Sequence, residues 1–170
     1  VWASAWNYEA FMEREYFGID QNSVAMGILV HRSFPNEVAN GVAITRNIYR
    51  RDDFPAFVLN VQIGENSVVN PEPGVTADQI ISYNGVNDDS SFEGAPEYIT
   101  YSSLTDGEPI LSDLQILELT IELRRIKEHF HQRVRDYRRN YSFDEFALDV
   151  EFKYNGDDEQ LYIKQARVFR

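Results

Sequence analysis

Hydrophobic and polar residues alternate with a period of two in several short segments, a pattern that indicates β-strands. The clearest case lies near the C-terminus, where residues 149–154 and 161–167 flank a turn that contains Asn155 and Gly156. Further apolar or alternating runs predict strands at residues 24–31, 41–46, 57–63, 79–83 and 98–101. The polar link at 47–55 predicts a hairpin loop, and the acidic stretch at 84–96 predicts another loop.

Two segments instead show helical spacing. Residues 5–17 place apolar side chains on one stripe and end at Gly18, which suits a helix stop. The second and longer helix opens at the capping box Ser112–Gln115. Its predicted core face contains apolar residues near i, i+4 spacing, namely Leu117, Ile121, Ile126 and Phe130, widened by Leu119 and Leu123. Together the segments predict an α+β fold, with a largely antiparallel sheet and two main helices.

Composition narrows the class of protein. A chain of 170 residues is long enough for one domain with a real core, and a net charge of −12 disfavours nucleic acid as the main partner. The absence of cysteine excludes disulfides and thiolate chemistry, and it fits a reducing cytosol. No apolar run approaches the roughly 20 residues that span a bilayer. Because the chain opens on Val1-Trp2 without a signal peptide or initiator Met, we expect it to be a fragment of a longer protein.

The terminal pair of strands is the strongest candidate site. Asp149 and Glu151 share one face of the first strand, and Gln165 and Arg167 share one face of the second. If the strands pair, two carboxylates, an amide and a guanidinium converge. Carboxylates hold a hard divalent cation and arginine grips phosphate, so the set suits a Mg-nucleotide. Spacing alone also permits an ordinary hairpin with a solvated charged face.

Two further segments offer phosphate or ribose contacts. The run Gly41–Arg46 ends in Thr45 and Arg46, whose side chains can donate to phosphate oxygens; a core strand with a charged end is the alternative. Gly64 and Glu65 follow the strand at 57–63, and Glu65 can orient a ribose or a metal; an exposed turn carboxylate is the alternative. A basic cluster on the long helix fits a solvated face or, less commonly, a phosphate or partner contact: Arg124, Arg125, Lys127, Arg133, Arg135, Arg138 and Arg139.

Taken in order, these segments resemble one family. Residues 24–31 with 35–46 are similar to the "VAxxVxVQxMV…SGVAFTRDP" run of phosphoenolpyruvate synthase and pyruvate phosphate dikinase. Residues 61–65 with 69–72 resemble that family's "GLGE…VNPD" segment, and 126–130 resemble its "KIEEHF" helix. Residues 149–151 with 161–167 resemble its "DIEW…LYILQAR" close. The resemblance spans nearly the whole chain.

The resemblance implies an ATP-grasp fold, of which residues 1–170 would form the C-terminal part. It implies that ATP and magnesium are bound, with Asp149 and Glu151 on the metal and Gln165 and Arg167 at the phosphates. It also implies nucleotide contacts from Thr45 and Arg46, from Glu65, and from His31 at the linker that contacts adenine.

The family's activity is ATP-dependent phosphorylation of a carrier histidine, followed by transfer to an acceptor. The partners so implied are an upstream ATP-grasp lobe and a phosphohistidine domain, and we expect no turnover from the isolated chain. The chain departs from the family pattern at the adenine linker, where His31 and Arg32 replace a glutamine and a glutamate, and at Gln62, where a glycine is missing. A degenerate nucleotide-binding or regulatory module without turnover is therefore the second hypothesis. A β-rich interaction domain that binds an acidic partner through its basic helix is the third.

Overall fold

The computed structural model describes residues 2–28, 30, 33, 35–49, 55–83, 94–134 and 142–169. The chain forms two compact units, Val1–Ser33 and Phe34–Arg170. Within the described residues, no helix has the length and apolar character needed to cross a membrane.

The first unit is built around one short helix. A 3₁₀ turn (Trp2–Trp6) leads into helix α1 (Tyr8–Phe17), and a second 3₁₀ turn follows at Gln21–Ser23. Asn7 caps α1 by accepting from the Ala10 N–H at 2.8 Å, and Gly18 ends it in the left-handed conformation, at φ 65°. The helix and its glycine stop are as predicted, but no residue of α1 is buried.

The second unit contains one antiparallel sheet. Its strands are β1 (Glu37–Ile44), β2 (Ala56–Ile63), β3 (Asp78–Tyr83), β4 (Glu97–Thr100), β5 (Leu148–Asn155) and β6 (Leu161–Val168). They lie in the order β4-β3-β2-β1-β5-β6, and every neighbouring pair is antiparallel. The α+β class and the terminal hairpin are confirmed. The hairpin, β5–β6, lies at one edge of the described sheet, with β5 paired to β1.

Helix α2 (Asp113–Val134) covers one face of this sheet. The predicted capping box is present: the Ser112 N–H donates to Gln115 Oε1 at 2.9 Å, and the Gln115 N–H donates to Ser112 Oγ at 3.3 Å. Ile116, Leu119 and Leu123 are fully buried against alternate residues of the strands. The buried face of α2 is therefore rotated from the predicted one. Leu117 and Ile121 are apolar but lie further round the helix, and they are only half-buried.

Two sequence predictions are corrected by the fold. The strand predicted at 24–31 is not formed at residues 24–28 or 30, and the rest of that segment, including His31, lies outside the described residues. A strand needs a hydrogen-bonded partner, and these residues belong to the first unit rather than to the sheet. Lys127, assigned to a solvated basic face, is instead buried at 2% exposure. The Arg135, Arg138 and Arg139 part of that cluster lies outside the described residues.

Gly41 is required by close packing in the middle of β1. A Cβ at this position would lie 2.3 Å from Cζ of Phe152 and 2.6 Å from the backbone oxygen of Asn60. Since the strand oxygen cannot move away without breaking the ladder, we expect Gly41→Ala to destabilise the protein by about 2 kcal/mol. Urea unfolding measures this, with Gly94→Ala as the control, because its added Cβ meets nothing closer than 3.8 Å. Equal unfolding midpoints for the two variants would contradict the packing explanation.

Candidate functional site

The sheet face opposite α2 brings the four hairpin residues together. Asp149 lies directly opposite Arg167, and Glu151 lies directly opposite Gln165. The alternate residues of β5, among them Val150 and Phe152, point into the core. Because side chains alternate along a strand, the four polar side chains occupy the other face as one patch. We call Asp149, Glu151, Gln165 and Arg167 the carboxylate–arginine patch.

Asp149 and Arg167 form the defined contact within this patch. Arg167 Nε donates a hydrogen bond to Asp149 Oδ2 at 2.8 Å, and Arg167 Nη2 lies 2.6 Å from the same oxygen in an ion pair. The Asp149 side chain is 15% exposed and the Arg167 side chain 63% exposed. The hydrogen bond to Asp149 raises the pKa of the Arg167 guanidinium above its ordinary value, so the group stays charged.

The second oxygen of Asp149 is the notable atom of the patch. Oδ1 is buried and accepts no hydrogen bond from the residues that the structure describes. A buried carboxylate oxygen without a partner costs free energy, and a bound cation or donor removes that cost. Among the described residues, no three His, Asp or Glu side chains gather as a self-sufficient metal site. Magnesium, however, is typically held by one or two carboxylates together with substrate phosphates, and Asp149 with Glu151 fits that requirement.

Thr45 fixes the end of β1 beside the patch. Its N–H donates to the Leu148 carbonyl at 2.9 Å, and its hydroxyl oxygen accepts from the Leu148 N–H at 2.8 Å. The side chain is fully buried. These bonds join the end of β1 to the start of β5, one residue before Asp149.

Arg46 follows at the same end of the sheet. Its Nη1 donates to the Glu145 carbonyl at 3.2 Å, and its Nε is buried without a hydrogen-bond partner. Since Ile44 is the register partner of Asp149, Arg46 and Arg167 lie toward the same end of β5. Two guanidiniums and two carboxylates therefore concentrate there.

Lys127 is a residue of this region that periodicity did not identify. Its ammonium donates to the Thr45 carbonyl at 2.8 Å and lies 4.6 Å from the centre of the Phe143 ring. Burial lowers the pKa of Lys127 to about 8, against the attraction of Asp144. The lysine links α2 to the residue that precedes Arg46. Its partner is 82 residues away in sequence, so no local pattern signals the contact.

Glu65 is not brought to the patch. Glu65 is exposed in the turn after β2, at the opposite end of β1 from Arg46. Asn40 holds this turn through bonds from Nδ2 to the carbonyls of Gly64, at 2.6 Å, and Asn66, at 2.9 Å. Gly64 has a φ of 62°, in the left-handed region, which a glycine adopts without steric cost. His31 lies outside the described residues.

The fold and the patch together define an α+β domain with a helix on one sheet face and, on the other, side chains suited to a phosphate and a divalent cation. The chain belongs to the family of the pyruvate phosphate dikinase AMP/ATP-binding domain, which it matches over residues 1–170. Membership supports AMP or ATP binding and relates the chain to the ATP-dependent dikinases. No curated protein and no solved structure matches the chain.

Proposed function

We propose that the chain is the C-terminal part of an ATP-grasp domain and binds Mg-ATP on the sheet face that carries the carboxylate–arginine patch. The observation that carries this proposal is the buried, unpartnered Oδ1 of Asp149 next to a charged guanidinium. When bound, the magnesium ion neutralises charge on the triphosphate. Asp149 and Glu151 hold it, Arg167 contacts phosphate oxygens, and Gln165 adds an amide contact.

The ion pair between Asp149 and Arg167 prepares both groups for their ligands. Each holds the other in place, with Asp149 shielded and Arg167 largely exposed. A phosphate oxygen competes for the arginine's donors, and a cation competes for the carboxylate. Binding of a phosphate oxygen to Arg167 leaves Asp149 available for the cation, and binding of the cation to Asp149 leaves Arg167 available for the phosphate. The two binding events therefore support one another.

We also propose roles in the Mg-ATP site for predicted residues that lie outside the carboxylate–arginine patch. Arg46 adds a second guanidinium at the phosphate end, and the burial of Thr45 makes it the residue that positions Arg46. Glu65 is proposed to serve the nucleoside half. The work of the site is positioning and charge neutralisation rather than covalent catalysis.

The parent activity that we propose is that of a phosphoenolpyruvate synthase-like phosphotransferase. ATP phosphorylates a carrier histidine, which passes the phosphate to an acceptor. An upstream ATP-grasp lobe and a phosphohistidine domain are the expected partners. The departures at His31, Arg32 and Gln62 support the second candidate, a nucleotide-binding module without turnover. ATP titration of the full-length protein separates the two, since binding with turnover supports the enzyme and binding without turnover supports the module.

Magnesium dependence tests the role of Asp149. We expect Asp149→Asn to weaken Mg-ATP binding at least tenfold and to reduce the stimulation by magnesium, since an amide is a poor ligand for a hard cation. Isothermal titration with and without magnesium measures both quantities. Asp106→Asn is the matched control, because it makes the same change at an exposed turn residue. Unchanged magnesium stimulation in Asp149→Asn would remove Asp149 from the proposed site.

A further inference from the structure

A second polar cluster lies on the same sheet face, at the other end of β5. It consists of Glu37, Lys153, Asn155 and Lys164. Glu37 is the register partner of Asn155, across the β1–β5 pair. Lys153 lies two residues before Asn155 and therefore points to the same face. Lys164 is the extra residue of the β-bulge in β6, between the register positions of Ile163 and Gln165.

Glu37 is a buried carboxylate with one oxygen engaged. Its Oε2 forms an ion pair with the Lys153 ammonium, and its side chain is 1% exposed. Its Oε1 is buried and accepts no hydrogen bond. Structures rarely leave such an atom unsatisfied, because an unpaired buried acceptor has lost its hydrogen bonds to water without replacement.

Asn155 repeats this arrangement on the facing strand. It is fully buried, its Nδ2 donates to Asp158 Oδ1 at 2.8 Å, and its Oδ1 is buried without a partner. Turning the amide over would place its oxygen against the Asp158 carboxylate, so the charges favour the present orientation. Two register-paired residues therefore each present an acceptor oxygen that lacks a donor.

The charges around these oxygens favour a neutral donor over a cation. The Lys153 ammonium already pairs with Glu37. Burial and the nearby Lys153 lower the pKa of Lys164, while Glu37 opposes them, so Lys164 also lies within electrostatic reach of this carboxylate. A further cation would be repelled by two lysines. Neutral N–H or O–H groups avoid that repulsion and satisfy the free acceptors.

The position of the cluster connects it with the proposed nucleotide site. Lys153 lies four positions after Asp149 in β5, about 13 Å away at a rise of about 3.3 Å per residue. For the cluster to contact a nucleotide whose phosphates lie at Asp149 and Arg167, the nucleoside must extend along β5. The turn that carries Glu65 lies at the same end of β1 as Glu37, because Ala39 pairs with Ile63.

We propose that Glu37 and Asn155 form a subsite for the nucleoside half of the nucleotide, where their free oxygens accept from its N–H and O–H donors. This inference rests on the proposed Mg-ATP site. The donors are the exocyclic amino group of the base or the ribose hydroxyls, and Glu37 is then the residue that sets nucleotide specificity. The ion pair with Lys153 holds the Glu37 side chain in place.

The test compares nucleotides that differ only in these donors. Isothermal titration of the wild-type protein and Glu37→Gln, with magnesium present, uses ATP, inosine triphosphate, 2′-deoxy-ATP and inorganic tripolyphosphate. Wild type is expected to bind ATP about tenfold more tightly than at least one nucleotide analogue, as loss of a bond to a charged acceptor predicts. Glu37→Gln should weaken ATP about tenfold, change that analogue less than twofold and leave tripolyphosphate unchanged. If Glu37→Gln does not fold, Asn155→Ser is used with the same comparison.

The outcomes separate the two proposals. A preserved wild-type preference in a folded variant, or equal weakening of ATP and both analogues, overturns the subsite. Equal weakening that includes tripolyphosphate identifies Glu37 as a purely structural residue and also overturns it. Failure of wild type to bind either Mg-ATP or Mg-tripolyphosphate overturns the proposed function itself.

Discussion

Replacing Arg167 by alanine is expected to reduce Mg-ATP affinity about 100-fold. Arg167 is charged, largely exposed and held in place by a hydrogen bond and an ion-pair contact to one oxygen of Asp149. A guanidinium that gives two charge-assisted hydrogen bonds to a phosphate binds it more strongly than a neutral donor does, and the gain is reduced by the ion pair that the free protein loses. Titration of Mg-ATP into wild type and variant measures the loss.

Lysine at the same position tests whether geometry or charge is responsible. Arg167→Lys keeps the charge but lacks the planar fork, so we expect it to regain no more than tenfold of the affinity. Arg125→Lys is the control, since Arg125 is an exposed cation of α2 that pairs with Glu122. Full recovery of affinity in Arg167→Lys would show that the position requires only a positive charge.

The same variants report on competition within the patch. In the nucleotide-free protein Arg167 occupies Asp149 Oδ2, so Arg167→Ala frees a carboxylate. The divalent ion alone is therefore expected to bind the variant at least as tightly as wild type, while Mg-ATP binds more weakly. Weaker binding of both would indicate that Arg167 supports the shape of β6 rather than the phosphates.

The hairpin and its patch could be predicted because the information is local. Alternation on both sides of an Asn-Gly turn indicates that Asp149 and Glu151 share a face and that Gln165 and Arg167 share a face. The pairing of Asp149 with Arg167 also depends on the β-bulge at Lys164, which shifts the register by one residue and could not be predicted from alternation. The face of α2 was harder to predict, because apolar residues lie on most of its circumference. Helical spacing cannot decide between Leu117 and Leu119 when both are leucine. The sheet decides, by burying Leu119 and leaving Leu117 half-exposed.

The residues that sequence reasoning missed depend on contacts between distant segments. Glu37 is buried because Lys153, 116 residues later, neutralises it. Lys127 is buried because the carbonyl of Thr45 lies within reach. In both cases composition favours a solvated charge, and only the packing of α2, β1 and β5 provides the partner.

Lys127 is expected to make stability increase with pH above neutrality. Burial lowers its pKa from 10.5 to about 8 in the folded protein. Between these two values the unfolded chain binds more protons than the folded chain, so the free energy of unfolding rises with pH in this window. The free energy of unfolding rises by about 1.4 kcal/mol per pH unit, or about 3 kcal/mol in total. The rise begins near pH 8 and is complete near pH 10.5.

Comparison with Lys127→Met isolates this contribution. Urea unfolding from pH 7 to 9.5 should show a rise in wild type that Lys127→Met lacks, whereas Arg125→Met, which removes an exposed cation two residues away, should keep it. The measurement stops at pH 9.5 because burial raises the pKa of Tyr98 to about 12 and raises that of Tyr154 further, so their ionisation lowers stability at higher pH.

The slope with pH is more informative than stability at one pH. Methionine removes the cost of a buried charge but leaves the Thr45 carbonyl without its donor, and these two effects are of similar size and opposite sign. A near-zero change at pH 7 therefore agrees with the structure. Parallel pH profiles for wild type and Lys127→Met would contradict it, since they would mean that Lys127 titrates alike in the folded and unfolded chains. The contact with Thr45 would then not hold the lysine in the core, and the end of β1 beside Arg46 would lack the anchor assigned to it.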